Sequence, residues 1–191
     1  FGRTGKMFAC EQEEVIPDFI ALAKGLTGGY LPLAATLTSE RVFNAFLGGP
    51  ERTLYYGHSY TANQLGCAAA LASLAIFREE RVLEQLAGKI DLLARLLGEL
   101  RERRYVAEVR QCGFMAGVEL RRTEREPFPE DQFTGAKVCL AERRHGLLTR
   151  PIREPIVVMP PYCIDEAQIR RMVSALGEGL HARPAQGPGF V

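Results

Sequence analysis

The chain has 191 residues, 47% of them hydrophobic, with 24 basic and 23 acidic side chains and a formal net charge of +1. That length allows one or two domains with a real core, and the balanced charge gives no electrostatic footing for nucleic acid or an anionic membrane, which leaves small molecules as the expected partners. Apolar runs all fall short of the roughly 18 residues of a membrane span, and five scattered cysteines without a C-x-x-C pair, beside only three histidines, argue against a disulfide framework or a zinc site and for reduced thiols in the cytoplasm.

The chain opens on Phe1-Gly2-Arg3-Thr4-Gly5-Lys6, polar and glycine-rich, without a starting Met and unlike a secretory leader. It reads as the middle of a loop, so a preceding segment is expected. Pro17-Asp18 punctuates, and residues 19–23 (Phe-Ile-Ala-Leu-Ala) form a continuous apolar run of buried-strand length that ends at Lys24. Residues 32–37 read as a second strand and 39–47 as a helix that Gly48-Gly49-Pro50 breaks. The Ala- and Leu-rich stretch 62–77 is a helix. Residues 79–104 form a longer amphipathic one, with Val82, Leu86, Ile90, Leu93 and Leu97 at helical spacing, whose length suits a connector between two lobes. Strands are expected at 106–110 and 114–120, a charged loop at 121–129, a helix at 134–144, short strands at 147–149 and 156–159, and a capped helix at 165–180. The Pro- and Gly-rich end is expected to fray.

Several residues invite chemistry. Gly2-Arg3-Thr4-Gly5-Lys6 superficially matches a nucleotide phosphate loop, but Met7 stands where Ser or Thr is needed. Lys24 follows five apolar strand residues; burying an ammonium is costly, and a desolvated lysine is a competent amine for covalent chemistry on a carbonyl. Spacing alone also allows a strand-end lysine reaching for solvent. The loop Tyr56-Gly57-His58-Ser59-Tyr60-Thr61 precedes the helix expected from residue 62, where hydroxyls and free N–H groups suit either an anion or a plain cap. Arg150, stiffened by Pro151, could hold a carboxylate bidentately or sit in a surface ion pair.

Taken together, Phe1-Gly-Arg-Thr-Gly-Lys, Pro17-Asp-Phe-Ile-Ala-Leu-Ala-Lys24-Gly-Leu-Thr-Gly-Gly and Gly57-His-Ser-Tyr-Thr-Ala-Asn-Gln-Leu-Gly-Cys-Ala closely resemble class III aminotransferases. The resemblance runs to about Leu180. Within that class, Lys24-Gly-Leu-Thr-Gly-Gly-Tyr-Leu-Pro-Leu, Leu148-Thr-Arg-Pro and Met159-Pro-Pro-Tyr look like the branch that aminates 8-amino-7-oxononanoate in biotin biosynthesis. The alternatives are another class III ω-aminotransferase, or an incomplete chain that works with a separate N-terminal half.

The resemblance implies an α/β architecture, PLP-dependent transferase fold type I. Residues 1–80 would be the C-terminal part of the large PLP-binding domain, 81–185 a small α+β domain, and 186–191 a flexible tail. It implies pyridoxal 5'-phosphate (PLP) as cofactor, held covalently by Lys24, whose amine also moves the donor's α-proton. It implies a homodimer with shared active sites, in which His58 and Ser59 contact the phosphate of the neighbouring subunit's PLP; many relatives have Thr where Ser59 stands, and a hydroxyl survives. Gly57 would contact substrate through its backbone, Arg150 would bind the oxononanoate carboxylate, and Arg3 would assist in substrate recognition. The amino donor is S-adenosylmethionine in most of the family. His58-Ser-Tyr-Thr, Val109-Arg-Gln-Cys-Gly-Phe-Met and Arg125-Glu-Pro-Phe-Pro also resemble a branch that uses lysine. The family's aspartate for the pyridine nitrogen and its glycine-rich phosphate loop would precede Phe1, so these 191 residues alone are expected not to transaminate.

Overall fold

The computed structural model describes residues 1–124 and 126–181, and these divide into two compact units. The first comprises Phe1 and residues 6–83; the second comprises residues 2–5 and the chain from Glu84 onward. The tail expected at 186–191 lies outside the described residues. Among them, no helix is long and apolar enough to cross a membrane.

In the first unit, strand β1 (Phe19–Leu22) pairs antiparallel with β2 (Ala35–Thr38), with Phe19 opposite Thr38 and Leu22 opposite Ala35. β2 starts later than the apolar pattern suggests because Pro32 has no N–H to give a ladder. Helix α1 (Glu40–Asn44) is shorter than expected: the N–H groups of Phe46 and Leu47 turn to carbonyls three residues back, so the end of the pattern winds as a tighter turn. Helix α2 (Gln64–Glu79) starts at an Asn63 cap whose side chain accepts from the Gly66 N–H at 2.9 Å.

The expectation that residues 19–23 form a buried strand is corrected. Phe19 is 60% exposed, Ile16 95% and, on α2, Leu65 72%. A continuous apolar strand needs cover on both faces, and a two-stranded sheet leaves both faces and both outer edges without strand partners.

The long helix expected at 79–104 is shorter: α3 spans Val82–Gly98, separated from α2 by Arg81 with its left-handed φ of +49°, and residues 99–102 wind as a 3-10 turn. Leu86, Leu93 and Leu97 of α3 are buried, as their spacing requires. Strands β3 (Val106–Cys112) and β4 (Met115–Leu120) form a hairpin closed by Gly113 and the fully buried Phe114, with a register shift between Val106 and Glu108. Helix α4 (Thr134–Glu142) leads to β5 (Ile156–Val158), which completes an antiparallel sheet in the order β3-β4-β5. Residues 147–149, expected as a strand, are not one. They run beside β5 with the Thr149 hydroxyl donating to the Val157 carbonyl at 2.6 Å, and Pro151 makes only an isolated bridge to Ile156 because it cannot donate to a ladder. Helix α5 (Glu166–His181) begins with a reciprocal cap: Gln168 N–H donates to the Asp165 carboxylate and Asp165 N–H to the Gln168 side chain.

Where α4 packs on α5, Glu142 is fully buried and neither carboxylate oxygen has a hydrogen-bond partner among the described residues. Gly179 of α5 makes room for it, since a side chain there would collide with the Glu142 methylenes. Burial pushes the Glu142 carboxyl up to about 8, from an ordinary 4.5. The folded state therefore holds this proton more tightly than the unfolded chain, so the stability it contributes is complete below pH 4.5 and is lost as pH rises towards 8. Urea unfolding of the protein should show stability falling across that window by at most about 5 kcal/mol. Glu142→Gln, uncharged throughout, should flatten that slope; an equal slope in the variant would assign the pH dependence elsewhere.

Candidate active site

Lys24 opens a tight 3-10 turn, Lys24–Thr27, directly after β1. Its φ is +50°, a left-handed backbone that costs a residue with a side chain on the order of 1 kcal/mol. The surroundings hold it there. The N–H groups of Leu26 and Gly28 bond to the Ala23 and Gly25 carbonyls, and the hydroxyl of buried Thr27 donates to the Leu31 carbonyl at 2.6 Å. From α2, which packs against the turn, Ser73 donates to the Gly25 carbonyl at 3.4 Å. A side chain at Gly25 would stand 3.2 Å from the Phe1 ring, so glycine lets that ring close on the turn. The backbone is thus fixed from several sides while the Lys24 side chain is exposed, its amine without a hydrogen bond or ion pair among the described residues. The desolvation expected from the apolar run is not supplied by the described residues around it.

His58 and Ser59 lie in the exposed turns that lead into α2. The Tyr60 N–H donates to His58 Nδ1 at 3.1 Å, which leaves Nε2 without a hydrogen-bond partner among the described residues, and the His58 N–H donates to the Thr61 hydroxyl at 3.0 Å. The helix starts at Gln64, two residues later than expected, and Asn63 takes its cap; the pair therefore belongs to a separate turn upstream. Ser59 keeps both its N–H and its hydroxyl without a partner among the described residues. Gly57 beside it is open, with only the Thr61 hydroxyl within 4 Å of where a side chain would begin. The same unit also exposes four tyrosines, Tyr30, Tyr55, Tyr56 and Tyr60, for which the sequence alone suggested no part.

The second unit carries Arg150 and Arg3. The Arg150 backbone is pinned beside β5, its carbonyl accepting from the Val157 N–H at 3.2 Å, while its side chain is exposed and makes no ion pair among the described residues. Arg3 is already engaged. It donates to the Pro160 carbonyl at 2.5 Å, its guanidinium lies 4.6 Å from the centre of the Tyr162 ring, and its carbonyl accepts from the Phe114 N–H at 2.7 Å. Burial pushes the Tyr162 hydroxyl up, and the Arg3 charge pulls the other way. The clamp on Arg3 was missed in the sequence, although Met159-Pro-Pro-Tyr stood out there. Lys24, Gly57, His58 and Ser59 thus lie in one unit and Arg3 and Arg150 in the other, and among the described residues no hydrogen bond joins Lys24 to the 57–59 loop.

These residues fit PLP in their chemistry. Lys24 offers an amine free for an aldehyde, and Ser59 offers an N–H and a hydroxyl free for a phosphate.

The family model for class-III aminotransferases matches residues 1–180. The chain belongs to that family. Its members depend on PLP, and the fold here is that of the PLP-dependent transferases of fold type I. Over 180 residues the chain is 52% identical to the adenosylmethionine-8-amino-7-oxononanoate aminotransferase of Aquifex aeolicus, covering 92% of this chain and 40% of that relative. The crystal structure of the same-named enzyme from Methanocaldococcus jannaschii superposes with a TM-score of 0.89 at 46% identity, over 95% of this chain and 43% of that one. An (S)-enantioselective omega-transaminase from Thermomicrobium roseum matches with a TM-score of 0.87 at 35% identity, over 95% and 41%. The chain thus spans about two fifths of the length of these relatives.

The anchoring of Arg3 depends on Gly113. Its φ of +58° and its contact with the Thr4 backbone leave no room for a side chain. Gly113→Ala should cost about 2 kcal/mol or more in urea unfolding and expose the Arg3 peptide bonds to trypsin. Stability and cleavage equal to the parent would contradict this packing.

Proposed function

We propose that this protein acts as an 8-amino-7-oxononanoate aminotransferase of biotin synthesis, with Lys24 holding PLP. The observation that carries the reading is the free, exposed Lys24 amine on a rigid, strained turn, in a chain about half identical to relatives of that name. Residues 1–80 would serve as the C-terminal part of the large PLP-binding domain and 81–185 as the small domain. The five cysteines are free thiols, in keeping with a cytoplasmic protein.

PLP, when bound, supplies the electron sink that makes the α-proton of an amine removable. The chain's own residues do the rest. The Lys24 amine holds the cofactor and then takes and returns the donor's α-proton. Its backbone cannot drift, because Thr27, Ser73 and Phe1 hold the turn, so the amine swings only about its own side chain. Ser59 and the exposed His58 bind a phosphate. Because nothing joins them to Lys24 within the described residues, their exposed donors suit the PLP of a second subunit in a homodimer. Arg150 presents its fork to the carboxylate of 8-amino-7-oxononanoate, and Gly57 offers its backbone to substrate. Arg3, held by Pro160 and Tyr162, acts in recognition by fixing the position of residues 2–5.

The relatives' names make S-adenosylmethionine the first candidate for donor, with lysine the second. The omega-transaminase match keeps a simpler ω-amine exchange as the competing reading. Arg150 separates the two. In the native holoenzyme, Arg150→Met should raise the KM for 8-amino-7-oxononanoate about a hundredfold, with Arg150→Lys, charged but without the fork, in between. The same KM in all three would remove Arg150 from the site and favour the competing reading. Stopped-flow spectra should show loss of the lysine-bound cofactor absorbance on adding S-adenosylmethionine or lysine, and a response to neither would end the biotin assignment.

A further inference from the structure

Away from the residues assigned above, the second unit holds a cavity of about 500 Å³ between α5 and the segment 145–149 that follows α4. Its walls include Leu147, Val158, Pro160, Ile164, Met172 and Leu176, and Arg150 is not among its lining residues. A cavity of roughly 300–1,000 Å³ with apolar walls and a few polar groups is the usual form of a small-molecule site.

The polar lining is His145, Gln168 and Arg171, with the weaker Thr149 and Cys163. Gly146 has φ +84°, and a side chain built there would come within 3.8 Å of the Arg171 guanidinium, so Arg171 reaches from α5 across to the opposite turn. No acidic side chain answers it: Arg171 makes no ion pair or hydrogen bond among the described residues. The Gln168 carbonyl is taken by the Asp165 N–H and its amide N–H₂ stays free, while the Asp165 carboxylate is used in capping α5. The Thr149 hydroxyl is spent on Val157. An arginine with no internal counter-ion, at an apolar cavity that no acidic side chain lines, is complementary to an amphipathic anion.

We propose that this cavity binds a small molecule with an apolar body and a single carboxylate. The carboxylate lies against Arg171 and the Gln168 amide, and the body lies along Leu147, Val158, Met172 and Leu176.

The test is a nuclear magnetic resonance titration of the full chain with octanoate, and with octylamine and 1-octanol as probes of the same body without the anion. Octanoate should give saturable shifts centred on Leu147, Val158, Ile164 and Met172. Arg171→Gln, at an exposed position, should weaken octanoate about tenfold while leaving 1-octanol unchanged. Ala175→Phe, which fills the cavity floor, should abolish the shifts; should that variant fail to fold, the Arg171→Gln comparison still decides. Octanoate binding equal to that of octylamine, unsaturable shifts, or an Arg171→Gln affinity equal to the parent's would each overturn the proposal.

Discussion

The left-handed backbone of Lys24 is the constraint on which the candidate site rests. A residue with a side chain adopts that conformation only when its neighbours over-determine it, and here several contacts do so: the Ala23 and Gly25 carbonyls, the Thr27 hydroxyl, Ser73 of α2 and the Phe1 ring. The turn ties β1 to α2, so the sheet edge and the helix that follows the His58–Ser59 loop share one anchor. Strain confined to the backbone leaves the side chain free, as a lysine needs when it must hold a cofactor and also carry a proton.

The second unit works by a different economy. Its core is conventional, built from Leu86, Leu93, Leu97, Phe114, Val118, Ile156, Ile169 and Leu176. On that core it fixes the backbones of two arginines and leaves their side chains in different states. Arg150 is held by a strand contact with its guanidinium free, whereas Arg3 is held through its guanidinium and its carbonyl together. An arginine with both ends committed positions a segment; one with a free fork binds a ligand. That difference is the physical ground for giving substrate contact to Arg150 and a supporting part to Arg3.

Much of this was legible in the sequence, for identifiable reasons. Periodicity located α3, α5 and the β3–β4 hairpin because their apolar faces are buried within the chain itself, while α2 was found from its Ala- and Leu-rich composition. It failed at residues 19–23, where an apolar run signals burial without saying what does the burying, and at 147–149, where Pro151 prevents pairing that the apolar pattern suggests. It also carried α3 on to residue 104, where residues 99–102 wind as a 3-10 turn instead. Glu142 could not be picked out from other helical glutamates, because its burial depends on Gly179 of α5, thirty-seven positions away. The Arg3 clamp was hidden for the same reason, its partners Pro160 and Tyr162 being more than 150 residues distant. Lys24, by contrast, could be singled out by its place after the apolar run, and of the two readings that place allowed, a desolvated amine or a lysine reaching solvent, the described residues leave it exposed.

The central claim is that Lys24, among the four lysines of the chain, is the one that holds PLP. Borohydride reduction of the protein after incubation with PLP, followed by tryptic peptide mapping, tests it directly. Modification should block cleavage at Lys24 and yield a phosphopyridoxyl peptide covering residues 7–41. A label found instead at Lys6, Lys89 or Lys137, or no covalent label at all, would contradict the account.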